Sequence, residues 1–358
     1  MDRRNFLRIA GAASAGAALP RAISSAFAAD DGWRTFEVVT QVEILKPEGV
    51  TKVWLPAPMP VDTPFQKFKD STFDAGAGTA TAGSVGPYGV AIVSAQWPAG
   101  VPPVMTHTQR FATRDIAVDF SRPGNAPAED PAVLARYTQA TEHIPTDGIV
   151  KQMSSEMVKG AKTDVEKARA IYEWIVENTW REPTTKGCGL GDVKFMLENK
   201  LWGGKCADLN GLFVAFARAE GIPARDVYGV RVADSRLGYK SLGKSGDITK
   251  AQHCRAEFHA AGYGWIPVDP ADVRKVILEE GGGKKIDDPM VAAARKRLFG
   301  SWEMNWLAYN TGADVALPGS VRSKVNYLMY PQAETVIGRL DSLDPDNFRY
   351  TIKSREIA

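Results

Sequence analysis

Cysteine and histidine are both scarce in this chain, at three and four residues out of 358. The cysteines are Cys188, Cys206 and Cys254; none forms a CxxC pair, and no two histidines stand in an HxxxH pattern. An odd, small number of cysteines argues against a disulfide framework, and the missing pairs make a Cys/His metal centre the weaker reading. Net charge is nearly absent too, at +2, so no basic face argues for nucleic acid. No acidic loop has the pattern of a calcium site. Past Ala28 there is no uncharged apolar run long enough to cross a bilayer. What is present is ordinary globular material, 44% apolar and 24% charged.

The first residues are of another kind. Residues 1–7 read MDRRNFL, a short Ala/Gly-rich apolar run follows, and Ala26 and Ala28 place small residues where a signal peptidase reads. This is the pattern of a twin-arginine export signal, so residues 1–28 are read as a cleaved signal and the rest as a periplasmic chain without membrane insertion. The segment holds four of the 44 basic and one of the 42 acidic side chains, which leaves the remainder balanced to within one charge. Twin-arginine substrates usually fold in the reducing cytoplasm, which further disfavours structural disulfides.

Residues 29–125 read as a β-rich domain. Positions 35–44 alternate with period two, and residues 52–55 give a second strand stopped by Pro56, Pro58 and Pro60. The Gly/Ala/Ser/Thr-rich stretch 74–89 reads as a flexible hairpin or loop, with further strands near 90–97 and 105–112. Residues 121–131 carry three prolines and read as a linker. From 126 to 275 the pattern is helical, then extended. Thr163 and Glu166 form a capping box ahead of Val165, Ala168, Ile171, Tyr172, Ile175 and Val176 at helical spacing. A second apolar helix starts at Cys206 and ends at Gly221-Ile222-Pro223. Strands follow near 226–232, 253–260 and 265–268, with 234–250 read as an exposed insertion. Residues 276–358 read as a C-terminal extension on this core, with a helix near 289–300. Residues 310–314 are read as an ordinary loop.

Two segments carry chemistry. Cys206 follows Gly203-Gly204-Lys205 at the start of the apolar helix. Unpaired N–H groups and partial positive charge at a helix N-terminus ease thiol ionisation, and the Cys206 N–H is then free to donate to an oxyanion. The bland reading, a small cysteine packed under the helix, has even odds on this context alone. Downstream, His253 and Asp269 lie on two strands joined by a Gly-rich turn. With the turn centred near Ala261, His253 falls directly opposite Asp269, close enough for the carboxylate to fix the imidazole tautomer. Alternation turns Cys254 away from the His253 face, as a structural residue, and leaves His259 as a partly exposed surface histidine.

The stretch Gly204-Lys205-Cys206-Ala207-Asp208, with residues 212–225 after it, resembles the nucleophile segment of the transglutaminase-like superfamily. His253, Glu257, Gly262-Tyr263-Gly264-Trp265 and Asp269-Pro270 resemble its His and Asp segment. The resemblance covers about 160–275, and Trp54-Leu55-Pro56-Ala57-Pro58 resembles the β-domain that precedes the core in exported bacterial members. It implies an α+β fold: a papain-like core of helices packed on an antiparallel sheet, behind a β-rich N-terminal domain. It implies Cys206 as nucleophile, His253 as base and acid, and Asp269 as the group that orients the base. Trp180 is the oxyanion candidate by position, with Trp202 second and better read as core. The implied chemistry is acyl transfer or hydrolysis at amide bonds through a Cys206 thioester. No metal or organic cofactor is implied, and a peptide, protein or cell-wall peptide is the implied substrate. The alternatives are a non-catalytic module of the same fold that binds peptide or cell-wall ligands, and a scaffold that binds through its β-domain. Two positions depart from the family pattern: Cys254, after the histidine, and Asn210, two residues past Asp208.

Overall fold

The computed structural model describes residues 32–357 apart from Arg122 and Asn125. The signal read over 1–28 lies outside the described residues. No helix among them is long and apolar enough to cross a membrane.

Seven helices are used below: α1 (Pro131–Arg136), α2 (Gly148–Met157), α3 (Asp164–Asn178), α4 (Val193–Glu198), α5 (Cys206–Ala219), α6 (Pro270–Glu279) and α7 (Pro289–Arg297). α3 starts where its sequence says it should. Thr163 Oγ1 accepts from the Glu166 N–H at 3.2 Å, and the Glu166 carboxylate accepts from the Thr163 N–H at 3.1 Å. Such a cap is worth about 1 kcal/mol. α5 is apolar almost all round, and only Ala219 of its 14 residues escapes burial. A helix of that kind must sit at the centre of a core. It packs under a four-stranded antiparallel sheet in the order Gly264–Val268, Gln252–Ala260, Ala224–Arg231, Trp306–Asn310. Helices on one side of an antiparallel sheet make this an α+β fold.

Two five-stranded sheets account for the β-rich region. One runs Gly246–Asp247, Phe348–Ile357, Arg34–Ile44, Val104–Thr113, Gln66–Asp74; the other runs Arg339–Leu340, Gln332–Glu334, Thr51–Pro56, Val90–Trp97, Thr79–Val85. Val42, Ile44, Met105 and Phe348 of the first meet Val53, Leu55, Val93 and Trp97 of the second in one apolar cluster. The Phe348–Ile357 strand pairs with Thr35 to Ile44, so the first and last strands among the described residues are neighbours in one sheet.

The hairpin-or-loop stretch 74–89 takes the hairpin form: residues 79–85 are an edge strand laddered to Val90–Trp97, because backbone pairing overrides the weak β-preference of Ala, Gly and Ser. Two expectations need correction. Residues 234–250 are not simply exposed. Ile248, Leu242 and Tyr239 are buried, and Gly246–Asp247 adds to the sheet edge. The hairpin turn is centred on Gly262, not Ala261: His259 pairs with Trp265 and Ala256 with Val268. Gly262 and Gly264 both take positive φ, +80° and +73°, which the tight turn requires.

Candidate active site

The sequence signals converge on one place. Gly203–Gly204 pairs in parallel with Trp180–Arg181 and delivers the chain to Cys206 at the first turn of α5. Lys205 is the N-cap, and its N–H is taken by the Asp208 carboxylate at 2.9 Å. The Cys206 N–H donates to no hydrogen bond found among the described residues, as befits a first-turn amide. The Cys206 thiol is buried and meets the side chains of His253, Cys188 and Cys254.

His253 Nε2 lies 2.7 Å from Asp269 Oδ2, so the two groups meet although the hairpin register is displaced from the expected one. The displacement moves each cross-strand partner by two residues, which keeps every side chain on its face and turns a direct pair into a diagonal one. Asp269 then closes the gap because the strand ends at Val268 and Asp269 becomes the N-cap of α6, accepting the Asp272 N–H at 3.0 Å. With Nε2 engaged by the carboxylate, Nδ1 is the ring nitrogen left to face the thiol.

Behind the imidazole stands a buried charge network that the sequence reading missed. Asp272 Oδ2 lies 3.4 Å from His253 Nε2. Arg231 grips Asp272 through both carboxylate oxygens, at 2.6 and 2.8 Å. Arg255 Nε is 3.7 Å from Asp269 Oδ2. Asn210, whose effect the sequence left unread, donates to Cys254 O at 2.9 Å and to Asp269 Oδ1 at 3.2 Å. The signals for these groups were available: an acidic residue three positions after an N-cap, and lone arginines inside apolar strands, which must be paired when buried.

Charge follows from this arrangement. Burial and Arg231 push the His253 pKa down, but Asp272 and Asp269 outweigh them and hold it at about 9. Burial and Asp272 raise Asp269, against the pull of His253 and Arg255. Burial disfavours the Cys206 thiolate, yet the Cys188, Cys254 and His253 side chains together bring its pKa well below that of a free thiol. The two shifts act together and favour thiolate with imidazolium over thiol with neutral imidazole.

Other residues fall differently. Trp180 is half-exposed beside Gly203: a Cβ on that glycine would come within 2.3 Å of the indole nitrogen. Its N–H points to Glu182 at 3.4 Å. Trp202 packs edge-on against Trp174. His259 is not a surface residue; it is buried, edge-on to Trp265, because Trp265 lies directly across the hairpin. Cys254 does alternate away from His253 along its strand, but α5 packs on that very face, so Cys254 meets Cys206.

A loop over 182–192 covers the sulfur. It is tied down by Lys205 Nζ on Thr185 O at 2.6 Å, Asp208 Oδ1 on the Gly191 N–H at 2.9 Å, and Ala207 N–H on Cys188 O at 2.9 Å. The C-terminal region holds its outer side: Tyr327 Oη donates to Gly189 O and Asn326 Nδ2 to Leu190 O, both at 2.6 Å. Gly189 sits at φ +90°, where a Cβ would strike the Asp208 carboxylate at 1.8 Å.

Residues 151–270, which hold Cys206, His253 and Asp269, match the model of the transglutaminase-like superfamily. The chain belongs to that superfamily. Residues 1–20 match the model of the twin-arginine translocation signal, so this member is exported to the periplasm. An uncharacterized protein of Haemophilus influenzae is 35% identical over 327 residues, covering 87% of each chain. Among solved structures, a "Putative Cysteine Protease" from Cytophaga hutchinsonii shares the fold, with a TM-score of 0.58 and 14% identity over 91% of each chain. The transglutaminase-like core here thus sits in a chain whose fold, beyond the core, is also shared with that structure.

Proposed function

We propose that this exported transglutaminase-like protein is a thiol enzyme that cleaves or transfers acyl groups at amide bonds. Cys206 is the nucleophile, His253 the general acid and base, and Asp269 the group that orients the imidazole. The observation that supports this best is the 2.7 Å His253–Asp269 contact beside a thiol at a helix N-terminus.

The resting charge state fixes the order of events. The Cys206 thiolate attacks the amide carbonyl carbon, and the carbonyl electrons move onto oxygen. The Cys206 N–H, unengaged in the resting site, donates to that oxyanion. Trp180 is the second donor: its indole, now on Glu182, turns to the oxyanion when substrate enters. As the C–N bond breaks, the imidazolium gives its proton to the leaving amine. A thioester remains on Cys206, and neutral His253 now deprotonates the acceptor that resolves it. Water as acceptor makes the enzyme a peptidase or amidase; a primary amine makes it a transferase. Asp269 and Asp272 hold the imidazole in place and stabilise its charged form. Peptides of the cell wall or exported proteins are the substrates that the compartment offers.

One observation favours a second reading, a binding module without catalysis: Cys206 is only 3% exposed beneath the 182–192 loop. Incubation with a peptide library, with and without a primary amine, separates the two. Mass spectrometry is expected to find a thioester on Cys206 and product whose mass depends on the amine. A chain that binds peptide but never carries a thioester, in wild type and Cys206→Ala alike, is the binding module.

A further inference from the structure

All the cysteine in this chain is in one place. Cys188 comes from the 182–192 loop, Cys206 from the start of α5, and Cys254 from the Gln252–Ala260 strand; all three are free and buried. Cys206 meets both of the others. Three residues scattered over 67 positions have no packing need to gather on one sulfur, since any small apolar residue would fill the space. The catalytic reading uses only one of them. Two further thiols beside a thiolate, in an exported protein, have a chemistry of their own.

The two neighbours are not equivalent. Cys254 is locked in the middle of the sheet. Its strand is laddered to Ala224–Arg231, where it faces Tyr228, and its carbonyl is held by Asn210 at 2.9 Å. Cys188 lies on a loop, outside any ladder, between Gly187 and Gly189, both at positive φ. Its backbone runs against the first turn of α5. Its carbonyl accepts the Ala207 N–H at 2.9 Å and lies 4.0 Å from Cys206 Sγ. Its own sulfur donates to Gln252 O at 3.2 Å. Only Cys188 can shift the short distance that a disulfide's geometry asks for without breaking a sheet.

We propose that Cys188 is a resolving cysteine: it captures an oxidised Cys206 as a Cys188–Cys206 disulfide, which switches the site off reversibly and shields it from irreversible oxidation. This regulation rests on the reading of Cys206 as a reactive thiolate. The oxidant is a peroxide. The Cys206 thiolate attacks one oxygen of hydrogen peroxide, the O–O bond breaks, and Cys206 becomes a sulfenic acid as hydroxide leaves. The sulfur has lost two electrons, and the two peroxide oxygens have gained one each. The Cys188 sulfur then attacks the sulfenic sulfur, its proton goes to the departing hydroxyl as water, and the S–S bond forms. A dithiol reductant returns both cysteines to thiols by exchange and is itself oxidised to a disulfide. The resting state suits this division of labour. The Cys206 thiolate next to it, and then burial, keep Cys188 protonated, so it does not compete as the first nucleophile.

Trypsin separates the three cysteines onto three peptides, residues 187–194, 206–218 and 251–255, which makes the test direct. The reduced chain is treated with hydrogen peroxide, blocked with iodoacetamide and mapped without reduction. The expected result is a cross-linked pair of 187–194 with 206–218, a free 251–255, and recovery of Cys206 alkylation after dithiothreitol. In Cys188→Ser, Cys206 is expected instead to gain two or three oxygens and not to recover. Two results overturn the inference: wild-type Cys206 gaining two or three oxygens while Cys188 stays reduced, or a cross-link of 206–218 to 251–255. These wild-type outcomes do not depend on how the variant folds. Alkylation without peroxide is scored in parallel. A Cys206 that takes up iodoacetamide but never joins Cys188 sinks this inference alone, and one that does neither sinks the nucleophile reading as well.

Discussion

Three of the four histidines are buried in β-strands, and two of them, His107 and His253, are shifted in opposite directions. His107, in the Val104–Thr113 strand, lies between Ser71 at 2.7 Å and Gln109 at 3.1 Å, both neutral. Burial alone acts on it and drives its pKa to about 3. His253 is buried as deeply, yet sits at about 9, because Asp269 and Asp272 stand against its ring. Burial by itself makes a histidine inert at neutral pH; a paired carboxylate makes it an acid that can give up a proton on demand. The β-rich region holds histidine among neutral hydrogen-bonding groups, and the core holds it against two carboxylates.

The contrast can be broken at several points. Removing the partner of the imidazolium altogether has the largest effect: Cys206→Ala is expected to lower turnover by roughly 10⁴-fold or more, with the fold intact by circular dichroism. Asp269→Asn removes the charge that distinguishes the two histidines. It is expected to cost roughly 10²–10⁴-fold in kcat and to bring the alkaline limit of the rate profile below about 9, read from kcat against pH.

The fold and most of this site were legible in the sequence, for identifiable reasons. The α3 capping box and the all-round apolar α5 are local signals that formed where they were read, and the Gly-rich turn formed one residue further on. The hairpin register was misjudged by two residues, yet His253 and Asp269 still meet, because parity rather than exact pairing decides which face a side chain shares. The charge network was legible only in its parts: the acidic residue after the N-cap and the lone arginines in apolar strands marked groups that need partners, but the packing of α6 against the sheet decides that Arg231, Arg255 and Asp272 are those partners. The role of Cys188 was not legible, because it depends on a loop held down by Tyr327 and Asn326 from the far end of the chain.

Trp180→Phe keeps the ring and removes the N–H. If the indole completes the oxyanion hole, kcat is expected to fall by roughly 10²-fold with KM little changed; an unchanged kcat leaves the backbone N–H as the donor.

The smallest effects concern stability. An unfolded histidine titrates near 6.5. Folded His107 holds no proton until about pH 3, so between those values the unfolded chain binds the extra proton and stability falls as pH drops, by up to about 1.4 kcal/mol per unit. His107→Gln is expected to flatten that acid slope in urea titrations run at several pH values. At His253 the raised pKa stabilises the fold at low pH and the benefit is lost as pH rises through about 9, but the lowered Cys206 pKa acts in the opposite sense. Across neutral pH the proton has only moved from sulfur to imidazole, so this pair binds equal numbers of protons in the folded and unfolded chains and contributes no slope there.

The central claim is that Cys206 rests as a thiolate beside an imidazolium. The rate of its alkylation by iodoacetamide against pH, followed on the 206–218 peptide, tests it most directly. The expected result is a rate that has already reached its plateau below the pH range in which a free thiol ionises. A rate that climbs tenfold per pH unit up to about 8.5, as an ordinary free thiol does, would contradict it.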